Sequence, residues 1–383
     1  MSANVHIVGS GLTGATIARL LHDQGYAVTV FERRAQIGGN VHDFLHSSGI
    51  RVHSYGPHYF RTNSEVIWAY VQRFGSFFSY RAVVKSYVDG QYENWPILAA
   101  YLKRIGAEQY HKSRFFTAAS LPATNFEEAA LQLMPVEVYE KFVKNYTFKQ
   151  WGVEPKQLSP DLVKRFEVHY DDDPHLTPGY KWQGLPVDGY AQWMTRMLDG
   201  IELHLGVDYL QEQKSLEPAS FTVFTGPIDA FFGFDLGRLH YRGQKREHHY
   251  LPNTNWYQPC AQVNNPALET GDHIRTLEWK HLIRLEQQQF ISGTLITRET
   301  PFSPQDIDQY EYPFPDNTNQ GLYQQYRQRA QKIPNLLICG RLGEYRYYDM
   351  DQAIGRAMML VQKQILPVLS VNSGRKFSNL LYF

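Results

Sequence analysis

The chain has 383 residues and balances 38 Lys and Arg against 38 Asp and Glu. This length predicts two or three domains of about 100–200 residues each, and the zero net charge argues against a nucleic-acid-binding protein. Two cysteines cannot form a disulfide framework, and we find no apolar run of the roughly 18 residues that a membrane span needs. We therefore expect a cytoplasmic protein without membrane insertion.

A strand, a glycine-rich turn and a helix are predicted at the start of the chain. An apolar run at 5–8 leads into the sequence GSGLTG at 9–14, after which small and apolar residues recur at helical spacing. Gly9 and Gly11 let the backbone approach a pyrophosphate at the helix N-terminus, and Gly14 lets the helix pack closely on the strand. The candidate cofactor-binding residues of this turn are Gly9, Gly11, Thr13 and Gly14.

A second strand is predicted at 27–31, and it ends at Glu32. An acidic residue about 20 positions past the glycines accepts hydrogen bonds from the ribose hydroxyls of a dinucleotide. The sequence RRAQIGGN at 33–40 resembles the second glycine pair of FAD-binding folds of the glutathione-reductase and amine-oxidase type. We therefore predict bound FAD rather than NAD, with further contacts from Glu32, Arg33, Gly39 and Asn40.

Three longer sequence blocks resemble signature blocks of the bacterial UDP-galactopyranose mutases. They are GPHYFRTN at 56–63, NYTFKQWG at 145–152 and GRLGEYRYYDM at 340–350. Shorter blocks agree with the family in order and spacing, namely QGLPVDGY at 183–190, TGPID at 225–229 and RTLE at 275–278. The resemblance extends over nearly the whole chain.

The resemblance implies an isomerase that interconverts the pyranose and furanose forms of a UDP-linked hexose and supplies furanose for cell-surface polysaccharide. In this family reduced FAD is the nucleophile, and its N5 attacks the anomeric carbon of the sugar. The implied partner is a UDP-hexose substrate, with no nucleic acid and no membrane insertion. Family members are commonly homodimers.

The resemblance also assigns roles to individual residues. Arg165 and Arg275 match the arginines that hold the diphosphate, a task that suits the planar, permanently charged guanidinium. His58 matches the residue that lies against the flavin, and we count it with both arginines as a catalytic candidate. The substrate-binding candidates are Arg61, Tyr146, Trp151, Tyr312 and Tyr347. The segment that closes over the isoalloxazine ring contributes Arg341, Asp349 and Met350.

Two features depart from the family pattern, and both belong to the predicted substrate cleft. Galactose-specific members carry His where this chain has Arg61, and members with Arg there resemble enzymes that also accept 2-acetamido sugars. UDP-N-acetylgalactosamine is therefore a second candidate substrate, since a guanidinium can donate to an N-acetyl carbonyl. In the mobile loop, DPHLTP at 173–178 replaces the expected tyrosine step, and its two prolines stiffen the loop.

The implied fold class is α/β, with an FAD-binding Rossmann-like domain assembled from 1–80, 185–240 and 325–370. A helical insertion at 95–165, followed by a mobile loop to about 180, and an antiparallel sheet with the substrate cleft at 240–325 complete the prediction. Apolar residues of the insertion recur at helical spacing. They are Ala129, Ala130, Leu133 and Val136.

Other interpretations share some of these motifs. An amine-oxidase-like FAD oxidoreductase would transfer a hydride to oxygen or NAD, but it gives no reason for the paired arginines or for KQWG at 149–152. A catalytically silent sugar-nucleotide-binding flavoprotein would fit the altered loop. We predict no metal site, because the acidic run at 171–173, with His169 and His175, is more typical of a solvated loop.

Overall fold

The computed structural model of the protein describes residues 4–107, 122–166 and 171–373. Within these ranges the β-strands are, in chain order, β1 (Asn4–Val8), β2 (Ala27–Glu32), β3 (Asp43–Leu45), β4 (Arg51–His53), β5 (Phe60–Thr62), β6 (Phe77–Ser79), β7 (Val84–Val88), β8 (Gln91–Trp95), β9 (Trp182–Pro186), β10 (Glu202–Leu205), β11 (Phe221–Phe224), β12 (Tyr241–Leu251), β13 (Gln262–Asn264), β14 (Arg275–Glu278), β15 (Thr294–Phe302), β16 (Tyr312–Pro313) and β17 (Leu336–Ile338).

The α-helices of the same ranges are α1 (Leu12–Asp23), α2 (Glu65–Gln72), α3 (Ala99–Arg104), α4 (Phe126–Leu133), α5 (Val136–Val138), α6 (Asn145–Trp151), α7 (Tyr190–Met197), α8 (Tyr209–Glu212), α9 (Ile228–Phe231), α10 (Leu285–Gln288), α11 (Asn317–Ala330), α12 (Gly340–Gly343), α13 (Met350–Leu360) and α14 (Leu366–Ser373). Two π-helical segments, Tyr139–Lys144 and Val361–Ile365, join neighbouring helices. None of the helices in the described part of the chain is both long and apolar enough to span a membrane.

A five-stranded parallel sheet has the strand order β10-β2-β1-β11-β17. Its strands come from each of the three separate segments that the sequence predicts for the Rossmann-like domain. Helix α1 lies against β1, β2 and α13 and buries Ala15, Ala18 and Leu21 completely. The predicted order of strand, glycine turn, helix and second strand is therefore confirmed.

A second sheet has seven strands in the order β16-β12-β15-β14-β13-β7-β8. It is antiparallel except where β13 pairs with β7, which agrees with the predicted mostly antiparallel sheet. Strands β7 and β8 were not predicted as part of it. They form a hairpin around Asp89 and Gly90, whose φ values of 51° and 78° suit a tight turn. Only tertiary pairing with β13 brings this hairpin into the sheet.

The helical insertion has a hydrophobic core of its own, which includes Phe126, Ala130, Phe142 and Val143. The predicted helical spacing continues through Val136, but α4 ends at Leu133 and Val136 is 62% exposed at the start of α5. Pro135 lies between the two helices, and proline disfavours a helical conformation in the residue before it. Val136 is therefore helical, but it begins a separate helix and does not join the buried face of α4.

Residues 171–173 of the predicted mobile loop are bound to other parts of the protein. The Asp172 carboxylate accepts a hydrogen bond of 2.9 Å from the Ala100 N–H in the first turn of α3, where a negative charge is favourable. Arg81 forms an ion pair of 3.1 Å with Asp173. Residues 171–173 are thus held by two separate parts of the chain, whereas 167–170, with His169, lie outside the described residues.

Candidate functional site

A first cavity of about 220 Å³ lies at the C-terminal ends of β1, β2 and β11. Open parallel sheets bind dinucleotides at this edge, where the strand order reverses. The predicted cofactor-binding residues that line the cavity are Gly9, Gly11, Thr13, Gly14, Glu32, Arg33, Gly39, Asn40, Arg341 and Met350. The structure therefore brings together residues that are more than 300 positions apart in the chain.

Gly9 and Gly14 of the glycine turn, and Gly39 opposite it, have little or no room for a side chain. A Cβ atom on Gly14 would lie 2.0 Å from the carbonyl oxygen of Gly9, and one on Gly39 would lie 3.0 Å from the Cα atom of Gly11. Gly9 itself has a φ of +104°, a conformation that favours glycine. Bare backbone at the first turn of α1 is a suitable surface for a pyrophosphate, so these residues fit a bound dinucleotide.

Glu32 closes one side of the first cavity and is nearly buried. Its carboxylate accepts hydrogen bonds of 2.8 Å from both the N–H and the hydroxyl of Ser10, and one of 2.9 Å from the Arg34 N–H. Arg33 donates to the Asp308 carboxylate at 2.6 Å, and Arg34 donates to the Asp308 carbonyl at the same distance. Neither Arg34 nor Asp308 was predicted to line this cavity.

A second cavity of about 160 Å³ adjoins the first. Asn40, His58, Arg341 and Met350 line both cavities, so we call these four residues the shared wall. The other predicted residues that line the second cavity are Arg61, Arg275, Tyr312, Tyr347 and Asp349. The second cavity is thus rich in the arginine and tyrosine side chains that bind phosphate oxygens.

Arg275 belongs to a buried chain of four alternating charges. Its Nε donates to Glu299, Arg246 donates to Glu299 at 2.8 Å, and both terminal nitrogens of Arg246 donate to Glu311 at 2.8 Å. Burial by itself raises the pKa of Glu299, but the guanidinium groups of Arg275 and Arg246 outweigh it and hold that pKa below its ordinary value. We call Arg275, Glu299, Arg246 and Glu311 the buried charge chain.

Arg61 is held between an acid and a ring. It donates to Asp349 at 3.1 Å, and its guanidinium lies 5.3 Å from the centre of the Tyr180 ring. Tyr347 donates to the other oxygen of Asp349 at 3.1 Å. Asp349 also caps the N-terminus of α13, so this carboxylate fixes two side chains of the second cavity to a helix.

Arg341 and two tyrosines form a stack on another side of the second cavity. The Tyr312 and Tyr347 rings are nearly parallel, with centres 6.3 Å apart. The Arg341 guanidinium lies 4.8 Å from the centre of the Tyr347 ring and donates to the Tyr348 carbonyl at 2.9 Å. A cation stacked on aromatic rings suits a planar or anionic ligand.

His58 lies in the shared wall and is electrically neutral at neutral pH. Burial, followed by the nearby His53 and Arg341, lowers the pKa of His58 well below its ordinary value. Its Nδ1 lies 2.8 Å from the Gly56 carbonyl oxygen, which can only accept, so Nδ1 carries the proton. The Nε2 atom then has no proton and can only accept a hydrogen bond at neutral pH.

Comparison with known proteins assigns the chain to a family. A family described as UDP-galactopyranose mutase matches residues 141–347, and one described as an NAD(P)-binding Rossmann-like domain matches residues 7–74. A probable UDP-galactopyranose mutase of Klebsiella pneumoniae is 33% identical over 365 residues, which cover 93% of each chain. The chain belongs to the UDP-galactopyranose mutase family.

Two further similarities refine this assignment. A dTDP-fucopyranose mutase of Escherichia coli is also 33% identical, over 94% of this chain and 98% of its own length. A crystal structure of reduced UDP-galactopyranose mutase superimposes with a TM-score of 0.71 over 98% of this chain and all of its own, at 14% identity, and so shows the shared fold. The protein is a mutase, and therefore an isomerase, of a flavin-dependent family, and the oxidase interpretation is not favoured.

Two of the mutase residues predicted to bind substrate, Trp151 and Tyr146, do not line the second cavity, and a third candidate, Arg165, has a side chain that the structure does not describe. Trp151 is 4% exposed and packs edge-on against Phe314 in the core of the insertion, so a base could contact it only after that packing changes. Tyr146 lies half-buried on α6. Arg165 ends a 3₁₀ helix at 160–165, and its side chain lies outside the described residues.

Sequence reasoning missed several residues of the mutase site. Glu299, Arg246 and Glu311 carry no motif, although a glutamate that alternates with exposed residues along a strand is a detectable signal. The pattern of β15 places Glu299 inward and Arg298 outward. Tyr180 was also missed. It follows the segment at 173–178, which lacks the tyrosine that the family pattern predicts, and its ring lies against Arg61.

Metal binding receives no support from the described residues, among which no group of three or more His, Cys, Asp or Glu side chains could hold an ion. Asp173 and His175 contact each other at 2.5 Å. The adjoining acid Asp172 is engaged with α3. These side chains therefore serve local hydrogen bonding.

Proposed function

We propose that this protein interconverts the pyranose and furanose forms of UDP-galactose, UDP-N-acetylgalactosamine or both, with FAD as its cofactor. When bound and reduced, FAD supplies the nucleophile for the anomeric carbon of the sugar. The observation that carries the proposal is the shared wall, because a cavity suited to a dinucleotide adjoins a cavity lined by arginine and tyrosine. A homodimer in the cytoplasm is the assembly and location that we infer from the family.

The residues of the second cavity would bind and orient the substrate. Arg275 would pair with the diphosphate, while Glu299 holds its Nε and so restricts the orientation of the guanidinium. Tyr312 and Arg341 would add hydroxyl and cationic contacts to the phosphate oxygens, and Tyr347 would do so only on release of its hydrogen bond to Asp349. Neutral His58 would offer an acceptor at Nε2, so it would orient a hydroxyl or N–H group without adding charge.

The identity of the sugar would depend on Arg61. Its Nε is buried and has no hydrogen-bond partner within the described residues, so this donor is available to a ligand. An N-acetyl carbonyl is a suitable acceptor for it. The two relatives named above act on different sugars and different nucleotides according to their names, which makes dTDP-linked sugars a necessary comparison.

The decisive experiment is to reduce the purified protein chemically without oxygen and to follow three furanose substrates by chromatography. These are UDP-galactofuranose, UDP-N-acetylgalactofuranose and dTDP-fucofuranose. Conversion to a pyranose that requires the reduced protein supports the mutase, and the relative rates assign the sugar and the nucleotide. A flavin-loaded protein that converts none of them overturns the proposal, and oxidation of the sugar would indicate an oxidoreductase instead.

Replacing Arg61 with histidine is expected to shift the rate ratio toward the non-acetylated sugar by about tenfold, because one charged hydrogen bond to the acetyl group is lost. The measurement compares kcat/KM for the two UDP-sugars in the variant and the wild type. Arg81→His is a matched control, since Arg81 pairs with Asp173 outside the second cavity. An unchanged ratio in Arg61→His would exclude Arg61 as the discriminating residue.

Replacing Gly14 with alanine is expected to lower the affinity for FAD by about tenfold or more, because the new Cβ collides with the Gly9 carbonyl and displaces the turn. The affinity is measured by titrating the deflavinated protein with FAD and following flavin fluorescence. Gly321→Ala is the control, since a Cβ there meets nothing within 4 Å. Normal FAD affinity in Gly14→Ala would contradict the assignment of the first cavity.

A further inference from the structure

Lys149 lies outside both cavities, yet it connects two elements that carry predicted substrate residues. It is on α6, three residues after Tyr146, and its side chain reaches the loop at 265–273 between β13 and β14. Arg275 begins β14 only two residues after this loop ends. An interaction between Lys149 and the loop therefore bears on how Tyr146 and Arg275 lie relative to each other.

The ammonium group of Lys149 is surrounded by backbone carbonyl oxygens. Its Nζ donates to the carbonyls of Ala267 and Gly271 at 2.6 Å each, to that of Asn265 at 3.1 Å, and to that of His273 at 3.3 Å. Three N–H groups are thus shared among four acceptors that come from both ends and the middle of one loop. No uncharged side chain could supply this many donors from a single atom.

Hydrogen bonds within the loop connect the residues that Lys149 contacts to the start of β14, where Arg275 lies. The Asn265 side chain donates to the His273 carbonyl at 3.1 Å and accepts from Thr270, and the Asn265 N–H donates to the Ile274 carbonyl at 2.7 Å. Both ends of the loop are therefore tied together directly before β14. A shift of this closed loop would move the start of β14, where Arg275 lies.

Helix α6 is itself fixed at its C-terminal end. Arg242 on β12 donates to the carbonyl of Gln150 at 2.8 Å and to that of Lys149 at 3.3 Å, which satisfies helix carbonyls that lack a partner within the helix. Lys149 thus extends from a firmly held helix end to the loop. Burial lowers the pKa of Arg275, but Glu299 and, after it, Tyr146 on the same helix α6 raise it above its ordinary value, which places Tyr146 near Arg275.

We propose that Lys149 is a positioning residue, whose ammonium group holds the loop at 265–273 against α6 so that Arg275, at the start of β14, is presented to the diphosphate of the substrate. This inference rests on the proposed function, because it takes Arg275 as a diphosphate ligand. Lys149 itself need not touch the substrate. Its contribution is the fixed geometry of the cavity wall.

The charge on Lys149 should be sensitive to pH near neutrality. Burial lowers the pKa of the Lys149 ammonium to about 8, while Asp272 and Glu269 act in the opposite direction. The other ionisable groups facing it are His273, whose pKa burial and Lys149 itself lower, and the permanently charged Arg242. Above about pH 8 the amine therefore loses one of its donors, and we expect the KM for the nucleotide sugar to rise.

The first test compares Lys149→Met with Lys280→Met. Lys280 is a matched control, because its ammonium also donates to backbone carbonyls, at 3.0 Å to Ile291 and 3.1 Å to Gly293, but these partners lie outside the loop at 265–273 that leads to Arg275. We expect Lys149→Met to raise KM about tenfold with kcat changed less than about threefold, and Lys280→Met to leave KM unchanged. The rise of KM above pH 8 should be absent from Lys149→Met.

Restoring the ammonium group provides the second test. Lys149→Cys, alkylated with 2-bromoethylamine, regains a side chain of lysine length that ends in an ammonium group. Cys260 and Cys339 should react little, because both are buried and burial raises the pKa of each thiol. We expect alkylation to return KM to within about twofold of the wild type and to restore slow amide hydrogen exchange at 265–273.

Two kinds of failure can be separated. If the wild type converts the sugars and Lys149→Met has the wild-type KM, or if Lys280→Met raises KM equally, the positioning role is wrong. If the wild type itself converts no nucleotide sugar, the proposed function fails, and hydrogen exchange still tests the anchoring. Unchanged exchange at 265–273 in Lys149→Met would then overturn the inference.

Discussion

Replacing Arg275 with alanine is expected to lower kcat/KM by about a hundredfold or more while FAD remains bound. The guanidinium lines the second cavity and would pair with the substrate diphosphate, so its loss removes a charged bidentate donor from a buried site. The first cavity does not include Arg275, which is why flavin content should stay at the wild-type level. Steady-state kinetics with the reduced protein and the flavin-to-protein ratio are the two measurements.

The control for this prediction is Arg298→Ala. Arg298 lies on β15, across from Thr276 in the register with β14, but it is exposed and lines neither cavity. Arg275→Lys separates charge from geometry, because lysine keeps a positive charge near Glu299 but lacks the planar fork. Wild-type kinetics in Arg275→Ala would exclude the diphosphate role, and loss of flavin would indicate a structural role instead.

Replacing Arg246 with methionine is expected to destabilise the protein by about 3–5 kcal/mol, because it removes the shared partner of two buried carboxylates. The Arg246 side chain is 8% exposed, and those of Glu299 and Glu311 are 0% and 4% exposed. Glu299 would keep its bond from Arg275, whereas Glu311 would lose both hydrogen bonds from the Arg246 guanidinium, so protonation of Glu311 or entry of water must compensate. The midpoint of urea unfolding measures the loss.

Arg329→Met provides the matched control for stability. Arg329 forms two hydrogen bonds of 2.7 Å with Asp235, but their side chains are 39% and 47% exposed. An exposed pair of this kind contributes about 1 kcal/mol or less. Equal shifts of the urea midpoint in the two variants would show that burial does not increase the contribution of the buried charge chain to the free energy of unfolding.

Much of the first cavity was predictable, because many of its residues lie at short, fixed spacings in the chain. Gly9, Gly11 and Gly14 must lie between a strand and a helix for the backbone to approach a pyrophosphate, and Glu32 must end the next strand. The structure places these residues in the first cavity as the spacing indicates. The blocks at 56–63 and 340–350 likewise supply three of the four residues of the shared wall, and Asn40 of the segment at 33–40 is the fourth.

Other features depend on contacts that local spacing does not encode. Trp151 has a signature position, yet its ring packs against Phe314, a residue of a distant segment. The hairpin of β7 and β8 joins the antiparallel sheet only through β13. The Lys149 side chain shows no pattern that predicts four carbonyl partners, because these partners come from the folded course of the loop at 265–273.

The α/β class, the glycine turn that lines the first cavity and membership of the mutase family all followed from the sequence alone, because each is carried by residues at fixed spacings within short blocks. The pairing of charges, in contrast, required the folded chain. Arg275 was predicted from the sequence to bind phosphate, but its partner Glu299 lies on another strand and Arg246 on a third. A buried charge must have a partner of opposite charge, but that partner can come from any part of the chain. The pairs can therefore be identified only once the strands are assembled.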